Sequence, residues 1–165
     1  MGGLIYLTHT RPDIAFSVGV VSRFMHFPSK HHFGAAKRIL RYVAGTICLG
    51  IWYGYVPNSR LIGFTDSDWA RCMEDRKSTS GYAFSLGSGV VSWSSKKQAT
   101  TALSSSEAEY MAATSLVCQA IWLRRIMEDL GQKQEGATDI FCDNQATIAM
   151  SKNPVYHGRT KHIDI

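Results

Sequence analysis

Five carboxylates occupy positions where chemistry is possible. Asp66 and Asp68 lie in "FTDSDWA", Glu107 and Glu109 in "LSSSEAEYMAA", and Asp143 in "TDIFCDN". Aspartate is disfavoured inside strands, so the Asp66/Asp68 pair either ends a strand or faces something positive. The two share one strand face, and periodicity does not choose between them. Ser104 and Glu107 fit the S-x-x-E capping box, which gives Glu107 a structural task. Glu109 points roughly opposite to Glu107. It heads a stripe of Ala113, Leu116, Ala120 and Leu123, which turns it toward a core where a lone carboxylate is costly. An exposed first-turn acid, favoured by the helix dipole, is the alternative. Asp143 closes a short apolar run and precedes a helix, where N-capping is the simpler role.

Ligands of open α/β sheets bind at the carboxyl ends of strands, beside a switch in topology. If the strands ending at Asp66 and Asp143 are neighbours, those two acids meet there. A helix packed across the sheet could bring Glu109 to the same edge. Such a site, with no Cys or His expected nearby, offers only oxygen ligands. It suits Mg²⁺, or Mn²⁺ as a substitute. Two such ions can activate water and stabilise the leaving oxygen in a phosphodiester displacement.

The elements that must position these acids change character along the chain. "THTRPDIAFSVGVVSRFM" reads as a helix with Thr10 as N-cap and Pro12 in the first turn. "SKHHFGAAKRILRYVAGT" reads as a second helix. Ala36, Ile39, Leu40 and Val43 form its apolar stripe, Lys37, Arg38 and Arg41 its polar side, and Gly45 its C-cap. From Cys48 the period shortens. "CLGIWYGYV" and "RLIGFTDSDWA" read as strands, and "SGYAFSLG" and "GVVSWSS" as a hairpin turning at Gly87-Ser88-Gly89. A long helix over about 104–130 ends at Gly131. A strand over 139–142 and the helix "NQATIAMSK" follow. The order predicts an α/β fold with a mixed sheet.

The 165 residues are 45% apolar, enough for one sizeable core. No apolar run approaches the roughly 18 residues of a membrane span. The N-terminus lacks the pattern of a secretory signal, and "MGG" without Ser or Thr at position six is a poor myristoylation signal. Cys48, Cys72, Cys118 and Cys142 are widely spaced, which predicts free thiols in a reducing compartment and no zinc framework. His31-His32 is read as a solvated helix start. Residues 1–60 carry seven Lys/Arg against one acid, Asp13. That imbalance fits a polyanionic partner; a helix-turn-helix DNA reader is the less favoured form of that idea.

Together, "FTDSDWA", "DRKSTSGY", "VSWSSKKQATTALSSSEAEYMA" and "CDNQATIAMSKNPVYHGRTKHIDI" resemble the ribonuclease H domain of copia-type retrotransposon Pol polyproteins. "RPDIAFSVGVVSRFM" and "AAKRILRYVAGT" resemble the segment joining it to the reverse transcriptase. The resemblance covers nearly the whole chain. It implies residues 1–59 as a helical connection and 60–165 as a ribonuclease H-like domain, incomplete at its C-terminus. It also implies metal-dependent cleavage of RNA in RNA–DNA hybrids, an upstream reverse transcriptase as partner, and an intracellular setting (a cytoplasmic particle or the nucleus). Asp66, Glu109 and Asp143 match the family's metal ligands, and Asp68 becomes support for the turn. Arg71-Cys72 stand where the family commonly has glycine. A fourth acidic ligand is expected to be absent, with Asp164 the only replacement in reach. The competing expectation is therefore an inactive remnant that binds nucleic acid without cutting it.

Overall fold

A computed structural model describes residues 1–153. Asp164 lies outside the described residues. The chain divides into two units, one of residues 1–52 with 94–96 and one of 53–93 with the chain from Lys97 on.

The first unit is helical. Helix α1 (Gly2–Leu7) leads through a 3-10 turn (Pro12–Ile14) into α2 (Ala15–Ser22), and α3 (Lys30–Gly45) follows. Leu4, Ile14, Val18 and Ile39 form its core, with Ala36 and Val43 packed against them. Thr10 does not cap α2. Its hydroxyl bonds back to Leu7 O at 3.2 Å; Arg11 is the N-cap of the 3-10 turn and Ile14 that of α2. The start of α3 is more than a solvated pair of histidines. Ser29 and His32 form a reciprocal capping box, and the His32 ring stacks on Phe24 at 4.0 Å. Gly45 is the last helical residue and Thr46 the C-cap. Leu40, expected on the apolar stripe, is exposed, as are Lys37, Arg38 and Arg41. Arg11 binds both carboxylate oxygens of Asp13, at 3.0 and 2.7 Å, and Thr46 Oγ1 at 2.7 Å; Tyr42 adds a bond to Asp13 at 2.9 Å. This network ties the turn before α2 to the end of α3.

The second unit is α/β: a mixed sheet flanked by helices, consistent with a ribonuclease H-like fold. Strands β1 (Leu61–Ser67), β2 (Thr79–Leu86), β3 (Gly89–Lys97) and β4 (Asp139–Phe141) lie in the order β3-β2-β1-β4. β1 runs antiparallel to β2 and parallel to β4. The expected hairpin turns at Gly87, whose φ of 61° favours glycine. Residues 48–56 form no strand, contrary to their alternation. Tyr53 OH and the Gly54 N–H instead bond to Val90 O and Ser88 Oγ.

Helix α4 (Ser105–Asp129) crosses the sheet, and its buried stripe is Ala108, Ala112, Leu116 and Ala120. Small residues let it approach closely. A Cβ on Gly63 would stand 2.9 Å from the Phe84 ring and 3.3 Å from Leu116. Leu61, Phe84, Leu116 and Ala120 form the core between helix and sheet. Ser104 caps α4. At the other end Gly131, at φ 72°, follows the C-cap Leu130, and the Gln132 N–H returns to Met127 O. Helix α5 (Gln145–Lys152) packs on α4, where the buried Thr147 hydroxyl bonds to Ser106 O at 3.0 Å.

Candidate metal centre

The site forms where β1 and β4 end side by side. Their parallel register pairs Phe64 with Phe141. β4 stops at Phe141, and Asp143 follows two residues later, as Asp66 lies two residues past Phe64 on β1. The pairing on which the meeting of these acids depended is therefore present. Thr147, bonded to Ser106, holds the start of α5, and with it the 142–144 segment, against the first turn of α4.

Glu109 comes from that helix and is 5% exposed. Its Oε1 accepts the Ser67 N–H at 3.1 Å, and its Oε2 is buried with no partner. Burial pushes its carboxyl up to about 7, an effect that the Ser67 bond opposes and the charges of Asp66 and Asp143 reinforce. Glu107, also buried, has a structural task, though only half of the expected capping box with Ser104 forms. Its Oε2 takes the Leu103 N–H at 2.7 Å, while Ser104 Oγ takes the Glu107 N–H. Asp68 turns away to local work, accepting the Thr79 N–H. Asp143 is not the helix cap. Asn144 is, through its Oδ1 and the Thr147 N–H at 3.0 Å. Asp143 thereby keeps its carboxylate exposed and available.

Two participants escaped sequence reasoning. Cys142 contradicts the expectation that no cysteine lies near the acids. Ligand atoms of Glu109, Cys142 and Asp143 lie within 4.8 Å of one another. Burial, with the nearby acids, raises the Cys142 thiol above its ordinary range. Gln98 is the other. Its buried Nε2 lies 2.8 Å from Ser80 Oγ, 2.9 Å from Ala108 O and 3.3 Å from Ser67 Oγ. It pins β1, β2 and α4 together beside Glu109, and nothing in the spacing of "SSKKQATT" announces this.

The site is thus an acidic cluster with one buried, unpartnered carboxylate oxygen, at the carboxyl edge of the mixed sheet of an α/β domain. Comparison with known proteins supplies its context. The retrovirus-related Pol polyprotein from transposon TNT 1-94 of Nicotiana tabacum is 48% identical over 170 residues, and that from transposon RE1 of Arabidopsis thaliana 42% over 165. Both matches take in the whole chain, which spans only 12% and 11% of those polyproteins. Secreted RxLR effector protein 161 of Plasmopara viticola is 48% identical over 124 residues, 74% of this chain and 87% of that protein. No protein-family model matches the chain, and no solved structure matches it significantly. The chain's homologues at 40–48% identity therefore include copia-type retrotransposon Pol polyproteins, of which it matches one segment. Among the described residues, no helix is long and apolar enough to cross a membrane, and Cys48, Cys72, Cys118 and Cys142 are all free thiols.

Proposed function

We propose that the second unit is a ribonuclease H-type nuclease that cleaves the RNA strand of RNA–DNA hybrids with Mg²⁺ or Mn²⁺. The observation that carries this is Glu109 where β1 and β4 end, with its Oε2 buried and unpartnered and its carboxyl raised in part by the nearby charges of Asp66 and Asp143. That oxygen fits a bound cation, because a buried acceptor left empty costs roughly 1–3 kcal/mol. Its carboxylate neighbours make a hard donor set.

Asp66, Glu109 and Asp143 would hold the ions. Bound there, the ions would supply Lewis acidity to an attacking water and to the leaving 3′ oxygen. The chain's own contribution is placement. Ser67 fixes the orientation of Glu109, Gln98 fixes α4 against β1, and Asn144 takes over the capping that would otherwise occupy Asp143. Selection of the hybrid would rest on backbone shape and 2′-hydroxyls, without base sequence. The exposed Lys37, Arg38 and Arg41 of α3 would add salt-sensitive phosphate contacts.

The test is incubation with an end-labelled RNA–DNA hybrid and Mg²⁺ or Mn²⁺, beside Asp143→Asn. RNA-strand cleavage by the wild type that the variant loses supports the proposal. Salt-sensitive binding with no cleavage by either protein would leave only the inactive remnant.

A further inference from the structure

The acidic cluster contains a thiol that the proposed hydrolysis does not use. We propose that Glu109, Cys142 and Asp143 form a site for a soft divalent cation, Zn²⁺ or Cd²⁺, overlapping the hard-ion site. The three donor atoms already lie within 4.8 Å of one another. A tetrahedral ion with bonds of about 2.0–2.3 Å separates its ligands by roughly 3.3–3.8 Å. Modest side-chain rotation therefore closes the set. A second, independent observation points to a ligand here. Glu109 is nine-tenths buried, its Oε1 is engaged by Ser67, and its Oε2 has no partner.

The sulfur decides which ion this donor set prefers. Mg²⁺ takes oxygen, whereas Zn²⁺ and Cd²⁺ gain from thiolate. On binding, the Cys142 S–H bond breaks, its proton passes to solvent, and a sulfur–metal bond forms with no change of oxidation state. Three protein ligands leave a fourth position open to water. Because Glu109 and Asp143 serve both arrangements, soft and hard ions exclude each other. If the nuclease proposal holds, which this consequence alone requires, Zn²⁺ is an inhibitor that acts by displacing Mg²⁺.

The experiment needs no nucleic acid. The full chain is titrated with Cd²⁺ while cadmium–thiolate absorption in the ultraviolet is followed, for wild type, Cys142→Ser and Glu109→Gln. One equivalent should bind with a thiolate band that excess Mn²⁺ abolishes. The band should vanish in Cys142→Ser, and Glu109→Gln should weaken binding about tenfold or more, in line with lost ligand-shell contacts. A second measurement on the wild type removes dependence on how the variants fold. Cd²⁺ should protect Cys142 from iodoacetamide, read by peptide mass, while the exposed Cys48 and Cys118 stay reactive. A band that persists in Cys142→Ser, no band in the wild type, or alkylation of Cys142 unaffected by Cd²⁺ would overturn the proposal. Both readouts are independent of hydrolysis, so a chain that binds Cd²⁺ but cuts no hybrid defeats only the nuclease proposal.

Discussion

The main-chain N–H of Ser67 donates to Glu109 Oε1 at 3.1 Å. This single bond joins the end of β1 to the second turn of α4 and leaves the other carboxylate oxygen facing the acids. It also sets up a conflict. One hydrogen bond stabilises the charged form, while burial and two neighbouring carboxylates oppose it, and the opposition wins.

The first prediction follows from that balance. The Glu109 carboxyl sits at about 7, against an ordinary 4.5. A raised carboxyl means that the folded state binds the proton more tightly than the unfolded one. Stability therefore falls as pH rises from about 4.5 to 7 and levels off above. The full cost is on the order of 3 kcal/mol at 1.36 kcal/mol per pKa unit. Glu109→Gln should flatten this part of the pH–stability curve and raise the melting temperature near pH 8. Mn²⁺ should stabilise the wild type at pH 8 and leave the variant nearly unmoved. A wild-type curve as flat as that of the variant would refute the prediction.

Gln98 yields a prediction about placement. Its Nε2 reaches acceptors on β1, β2 and α4, while its Oε1 is buried without a partner. Gln98→Met keeps the volume and removes the orphan acceptor, which partly offsets the donors lost by Ala108 O and the Ser67 and Ser80 hydroxyls, so global stability should fall by about 1 kcal/mol. Geometry at the junction should suffer more. Loss of about 1 kcal/mol of local hydrogen bonding corresponds to roughly five- to tenfold faster hydrogen exchange at the Ser67 amide. Amides of Ile62 to Phe64, deeper in the same strand, should be less affected. Equal acceleration along all of β1 would mean that Gln98 serves stability alone.

How far the sequence could carry these conclusions depended on how local each determinant was. The inward turn of Glu109 was legible because α4 is long and its stripe repeats faithfully. Leu116 and Ala120 are buried as expected, although Ala112 takes the place of Ala113. The hairpin was legible because Gly87 supplies a turn of its own. By contrast, "CLGIWYGYV" alternates like a strand, yet it forms no ladder and meets the hairpin tip through Tyr53 and Gly54 hydrogen bonds and through Val56 beside Gly87. Helix α1 was invisible because Gly2 and Gly3 weaken its propensity; burial of Leu4 against Ile14, Val18 and Ile39 sustains it. Cys142 was missed for a geometric reason. In a continuing strand it would point away from Asp143, but β4 stops at Phe141 and the alternation lapses there.

Asp66 and Asp68, indistinguishable by periodicity, should part in experiment. Asp68 Oδ1 accepts the Thr79 N–H, and its own N–H returns to Thr79 O at 3.2 Å. Asp68→Asn keeps an acceptor and should cost well under 1 kcal/mol, whereas Asp68→Ala should cost about 1–2 kcal/mol. Asp66→Asn should leave the melting temperature nearly unchanged and reduce hybrid cleavage by at least ~10²-fold, since even groups behind a metal ligand matter that much. Thermal melts and cleavage rates measured on the three variants decide it. Cleavage abolished by Asp68→Asn and spared by Asp66→Asn would reverse the two roles.

The helical unit offers a test with the opposite sign. Hydrogen bonds from Arg11, then from Tyr42, hold the Asp13 carboxyl down to about 2 against an ordinary 3.8, though burial opposes them. A depressed carboxyl stabilises the folded state once it is ionised. That contribution is present above about pH 4 and is lost as pH falls through 2. The Asp13 side chain is 35% exposed, so solvent screening reduces the nominal value to about 1 kcal/mol. Asp13→Asn should therefore lower stability by about that amount at pH 7 and by only a small fraction of it at pH 2. Tyr42→Phe, which removes only the 2.9 Å bond, should cost less. Urea unfolding followed by circular dichroism, at pH 7, 4 and 2, measures both. Urea carries no charge and spares the ion pair, and added salt should narrow the difference at pH 7. A penalty for Asp13→Asn that is the same at all three pH values would show that Asp13 acts through packing and that its charge contributes nothing.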